Sequence, residues 1–123
     1  MMGLGLDLCE IARMERILAK NDGFLKRYFT EDERSYLAEK NNMSMSSAAA
    51  MFAAKEAFLK AAGIGLSGGI ALKDIEIAHN ECGAPFYRLL GAAAEKMQSM
   101  GATKAHLSLT HEAGFAGAVA VLE

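Results

Sequence analysis

Tryptophan is missing from this sequence and proline occurs once, so no Pro-rich linker divides its 123 residues. Cysteine is scarce as well. Cys9 and Cys82 are too few for a four-ligand zinc cluster, and His79, His106 and His111 form no H-x-x-x-H pair. Both thiols read as reduced core or edge residues. A surplus of positive charge is also lacking: the formal net charge is −2, and no Lys/Arg block adjoins an aromatic stripe, which sets nucleic acid aside as a partner. No apolar run reaches the roughly 20 residues of a bilayer span, because charges interrupt the Ala-rich stretch that begins at Ala48. No charged n-region precedes an apolar segment near Met1. A cytoplasmic protein with no membrane association is expected, and repeats and low-complexity tracts are absent.

What is present is the balance of a globular chain, 52% apolar and 23% charged, in a length that suits one domain over residues 1–123. From Met2 to Leu8, Met2, Leu4, Leu6 and Leu8 alternate with Gly3, Gly5 and Asp7. This is the period of a strand with one buried face, and it points Asp7 away from the leucines on a face bared by glycine. Ile11, Met14, Ile17 and Leu18 space a helix to about Lys20, which "NDG" at 21–23 ends. Thr30 and Glu33 in "TEDE" form a capping box for a short helix reaching about Lys40. Ser44–Ser47 offers N-caps for a long helix that Gly63 closes. "DIEIAH" alternates as a strand, "NECGAPFY" turns and returns, and Leu89 to Met100 reads as a helix closed by Gly101. "KAHLSLTH" and "FAGAVAVLE" flank a tight turn as a hairpin. Strands and helices intersperse without regular βαβ units, so the fold class is α+β, a mainly antiparallel sheet packed with a long central helix.

That helix carries the first chemical puzzle. In "MFAAKEAFLKAAGIG", Lys55, Glu56 and Lys60 fall within an arc of roughly 140° on the helical wheel, together with Phe52 and Leu59. Glu56 and Lys60 are an i, i+4 pair, which on a solvated stripe is worth only ~0.3–0.5 kcal/mol. The alanines and phenylalanines around them leave little face suited to water, so a polar cleft is the alternative. Asp7 is either a strand-end aspartate or the partner of Glu56. Two fixed carboxylates are what Mg²⁺ needs when waters and phosphate oxygens complete its octahedron. "GLGLDL" lacks the third glycine of a dinucleotide fingerprint. "GIGLSGG" at 63–69 follows a helix, so the helix dipole opposes an anion there and only local backbone N–H groups, Gly63 among them, could form a nest. His111 ends an alternating strand on the side of Leu107 and Leu109, as a structural residue or a ligand contact.

Together, "GLGLDLCEIARM", "MFAAKEAFLKAAGIGL" and "LSLTHE", in this order across nearly the whole chain, resemble the holo-acyl-carrier-protein synthase family of 4′-phosphopantetheinyl transferases. The resemblance implies transfer of phosphopantetheine from coenzyme A to a serine of apo-acyl carrier protein, with release of adenosine 3′,5′-bisphosphate. It implies Mg²⁺, or Mn²⁺, held by Asp7 and Glu56, and a compact α+β homotrimer with interfacial active sites. Asp7, Glu56 and Lys60 are the implied catalytic group. Lys55, Lys60, Gly63 and His111 are the residues expected at coenzyme A. The serine proton goes either to Glu56 or to a water. Many members carry arginine where this chain has Met51, so a phosphate contact from that position is in question. Carrier proteins of this kind are acidic, and Arg13, Phe24 and Arg27 match the carrier-contacting region of the family within a basic cluster that includes Arg16, Lys20 and Lys26. A rival reading is a non-catalytic trimeric module that binds a nucleotide or carrier protein without turnover.

Overall fold

The computed structural model describes residues 1–21, 23–39, 45–65 and 68–123. The chain runs β1 (Gly3–Glu10), α1 (Ile11–Lys20), α2 (Phe24–Tyr28), α3 (Glu31–Glu39), α4 (Met45–Ala61), a 3₁₀ turn (Leu72–Asp74), β2 (Ile75–His79), β3 (Pro85–Leu89), α5 (Gly91–Met100), β4 (Ala105–Glu112) and β5 (Phe115–Leu122). One antiparallel sheet has the order β1-β5-β4, and β2 and β3 form a separate antiparallel pair. This is the α+β architecture expected. The short helix α2 and the β3 assignment of Leu89 depart from the sequence reading, and the Ser44 cap lies outside the described residues.

The β4–β5 hairpin turns through Ala113 and Gly114, both at positive φ, as a two-residue turn matched to strand twist requires. Helix α4 ends in a Schellman arrangement. Gly63 sits at φ 73°, its N–H donates to the Lys60 carbonyl at 3.0 Å, and Ile64 N–H donates to the Leu59 carbonyl at 2.8 Å.

Helix α4 lies on the sheet, chiefly over β1 and β5, and small residues on both sides bring the backbones together. A Cβ added to Gly5 would stand 1.9 Å from the Ala57 carbonyl oxygen, and one on Gly3 2.0 Å from that of Ala61. The glycine face of β1 is therefore the buried one, and the leucine face is open: Leu4, Leu6 and Leu8 are each more than half exposed. The period-2 reading of β1 holds, but its assumption that the leucines are buried is reversed within one chain. The buried face of β5 (Ala116, Ala118, Ala120, Leu122) continues the same contact surface.

Candidate active site

Asp7 sits on the buried face of β1, at 8% exposure, because strand alternation puts it in line with Gly3 and Gly5. The close approach at Gly5 carries the C-terminal half of α4 over this part of the strand. Lys60 then reaches across: its Nζ donates to Asp7 Oδ1 at 2.9 Å and to the Leu6 carbonyl at 3.0 Å. Glu56, one helical turn earlier, is half-buried. Burial pushes its carboxyl above the ordinary value, and the Asp7 carboxylate pushes it further, against the pull of Lys60 and Arg13. Asp7, Glu56 and Lys60 thus form one electrostatic cluster. The hydrogen bond that Lys60 donates to Asp7 holds its ammonium above the ordinary pKa.

Arg13 belongs to the same neighbourhood. Helix α1 starts directly at the end of β1, which turns its first residues back over the strand, and the Arg13 charge is felt by both Glu56 and Cys9. Burial raises the Cys9 thiol pKa, so it is an inert core thiol. Arg27 is exposed on α2, with its guanidinium 5.4 Å from the Tyr28 ring centroid.

His111 and Met51 lie elsewhere. Asp7 is level with Ala118 and His111 with Ala116, on the two outer strands of the sheet, so two strand spacings of about 4.8 Å each part them. Helix α4 passes between, its N-terminal half toward β4. There Met51, Ser47, Thr110, His111 and Pro85 line a cleft of about 410 Å³ that excludes Asp7, Glu56 and Lys60. One chain therefore presents two groups of candidate residues on opposite edges of the sheet. Met51 is 1% exposed and brings no charge to its cleft.

Three expectations need correction. Lys55 does not face a cleft. It is wholly buried, with its ammonium donating to Glu33 Oε1 and to the Leu72 and Ile75 carbonyls, all at 2.8 Å. Burial lowers its pKa while Glu33 opposes that shift. With all three N–H bonds spent inside the protein, it has none for a phosphate. Gly63 has its N–H committed to the helix cap, so its role is to stop α4. Phe24 is 8% exposed, packed edge-on to Tyr28 and 5.6 Å from Phe52 between ring centroids. It does not project as an anchor but walls an apolar hollow of about 330 Å³ with Phe52 and Leu72. The helical-wheel arc accordingly divides: Phe52, Glu56 and Lys60 form the open row, and Lys55 and Leu59 are buried.

Among the described residues no group of three or more His, Cys, Asp or Glu side chains could hold a metal. Asp7 and Glu56, close enough to feel each other's charge, are the two carboxylates that together could hold one. That fits Mg²⁺, which keeps several waters and takes phosphate oxygens from a substrate, and does not fit a fully protein-enclosed ion. No described helix is long and apolar enough to cross a membrane.

The sequence model of the 4′-phosphopantetheinyl transferase superfamily matches residues 3–120. The holo-[acyl-carrier-protein] synthase of Treponema denticola is 43% identical over 122 residues, covering 99% of this chain and 98% of the relative. That of Syntrophus aciditrophicus is 46% identical, covering 98% and 94%. The crystal structure of the Helicobacter pylori holo-[acyl-carrier-protein] synthase in complex with coenzyme A superposes with a TM-score of 0.83 at 33% identity, covering 98% of this chain and 99% of that one. With its fold, its Asp7–Glu56–Lys60 cluster and these full-length matches, the chain belongs to the 4′-phosphopantetheinyl transferase superfamily.

Proposed function

We propose that this protein transfers 4′-phosphopantetheine from coenzyme A to a serine hydroxyl of apo-acyl carrier protein and releases adenosine 3′,5′-bisphosphate. The observation that carries the reading is the convergence of Asp7, Glu56 and Lys60, from a strand and a helix 49 residues apart in sequence at Asp7 and Glu56, into one cluster of opposed charges. In the transfer a bond forms between the serine oxygen and the pantetheine-side phosphorus. The bond from that phosphorus to the bridging oxygen breaks, and the electron pair leaves on adenosine 3′,5′-bisphosphate.

Such chemistry depends on positioning and on neutralising phosphate charge more than on covalent catalysis. Bound at Asp7 and Glu56, Mg²⁺ would supply positive charge to the diphosphate oxygens. Lys60 adds a second cation on the same row of α4. The serine proton goes either to Glu56 or to a water, both within reach of general-base chemistry at such a site. Arg13 and Arg27, both exposed, offer positive charge to an acidic carrier, and Arg27 lies over Tyr28, which with Phe24 walls the apolar hollow.

The separation of the His111 cleft from Asp7 supports a homotrimer with sites shared between subunits. The exposed row Leu4, Leu6 and Leu8 supplies an apolar sheet face for such packing, and neighbouring copies would bring one subunit's His111 cleft toward another's Asp7 cluster. His111, Ser47 and Thr110 would then contact the nucleotide end of coenzyme A. The reaction is tested by chromatography of the nucleotide product. Adenosine 3′,5′-bisphosphate should accumulate only when coenzyme A, apo-carrier and Mg²⁺ are all present, and stoichiometric binding without product would favour the non-catalytic module.

A further inference from the structure

Lys60 is tied to the Asp7 carboxylate that a metal would use. Its Nζ lies 2.9 Å from Asp7 Oδ1 and 3.0 Å from the Leu6 carbonyl, so two of its three N–H bonds are spent on β1. The tether is short because the helix and strand backbones meet at Gly5 and Ala57, without room for even a Cβ. Glu56, on the same face of α4, is within the electrostatic field of Lys60 and of Asp7 alike. A divalent ion bound to Asp7 stands roughly 2.1 Å from a carboxylate oxygen, which brings it within a few ångströms of the ammonium. Two cations so close repel strongly unless another anion enters. A diphosphate is such an anion: it ligates the ion and offers Lys60 oxygens in exchange for Asp7.

Building on the metal reading above, we propose that Lys60 is a resident counter-ion of Asp7 that keeps a divalent metal from loading alone, so that metal and coenzyme A bind as coupled ligands. By linkage each tightens the other by the same factor. The role is separate from charge stabilisation during transfer, because it acts before any carrier protein arrives.

The probe is Mn²⁺, whose free aquo ion is counted by electron paramagnetic resonance, titrated into the full-length protein with and without coenzyme A and corrected for Mn²⁺ bound by coenzyme A alone. For the native protein, coenzyme A is expected to tighten Mn²⁺ by about tenfold or more. In Lys60→Met, Mn²⁺ alone should bind several-fold tighter than in the native protein, and the coupling to coenzyme A should fall to about twofold or less. Lys60→Arg, which keeps the charge, should restore weak unaided binding. Lys60 is more than half exposed, so neither change threatens the fold. Equal Mn²⁺ affinity in the native protein and Lys60→Met would overturn the proposal. Asp7→Asn separates the two levels of the argument. If it abolishes Mn²⁺ binding while Lys60→Met changes nothing, only the counter-ion role falls. If it binds Mn²⁺ as the native protein does, the metal assignment falls with it.

Discussion

Replacing Lys55 by methionine isolates what the buried charge pair does for the fold. The change keeps most of the side-chain volume and removes an ammonium that has three acceptors and no exposure. Three deficits follow: the Glu33 carboxylate loses its counter-charge, and the Leu72 and Ile75 carbonyls each lose a charged donor. Glu33 keeps two backbone donors, Thr30 N–H at 2.8 Å and Ile77 N–H at 2.9 Å, so the carboxylate is not left bare. Removing one partner of a buried pair costs about 3–5 kcal/mol, and these remaining bonds place Lys55→Met near the lower half of that range. At about 0.05–0.15 kcal/mol per residue the whole domain has a stability of roughly 6–18 kcal/mol, so the variant should fold but melt roughly 10–20 °C lower. Urea unfolding followed by circular dichroism reads the difference, with the slope unchanged if the denatured state is the same. Adding Glu33→Gln to Lys55→Met should cost less than the sum of the two single changes, because the pair is then neutral. A loss below about 1 kcal/mol in Lys55→Met is what a solvated surface pair gives, and it would refute the buried-network account.

Gly5→Ala should destabilise by about 3 kcal/mol or prevent folding, since its Cβ would meet the Ala57 carbonyl at 1.9 Å and must push helix from strand; Leu4→Ala, on the open face, should barely change the melting temperature of a dissociated chain. Glu56→Gln should stabilise the fold at neutral pH while abolishing transfer. The folded-state pKa of Glu56 is raised, so ionisation costs folding energy as pH rises through that value. The advantage of glutamine should therefore disappear as pH falls below about 4.5, the ordinary value for a glutamate, and melting curves from pH 4 to pH 8 check the sign. Leu6→Asp places a charge in the exposed leucine row; if the proposed homotrimer packs through that row, light scattering behind size exclusion should show a three-chain mass for the native protein and a single chain for the variant, with transfer lost alongside. Retention of the native mass in Leu6→Asp would argue for another subunit contact.

Local signals were legible and long-range pairings were not. The Thr30–Glu33 capping box is present as read, with Glu33 N–H donating to Thr30 Oγ1 at 3.1 Å and Thr30 N–H to Glu33 Oε1. That Glu33 also neutralises Lys55, 22 residues away, has no local signature. The strand period of β1 was equally plain, but burial goes to its glycines because α4 is rich in alanine. Gly3 and Gly5 opposite Ala57 and Ala61 are a small-on-small contact, and that pairing is the signal that would have assigned the faces correctly. A hydrophobic row such as Leu4, Leu6 and Leu8 marks a surface to be covered without saying whether the same chain covers it. Asp7, Glu56 and Lys60 could be singled out as chemical types, and the family resemblance joined them. Their meeting in space follows from the glycine contact. Arg13 acts on Glu56 because α1 turns directly off β1, a placement with no local signature in the sequence.

The most direct measurement is the intact mass of an apo-acyl carrier protein after incubation with coenzyme A, Mg²⁺ and this enzyme. The account predicts a gain of one 4′-phosphopantetheinyl group on a single serine, lost in folded Asp7→Asn and Glu56→Gln variants. An unchanged carrier mass with the native, folded protein, or full modification by Asp7→Asn, would contradict it.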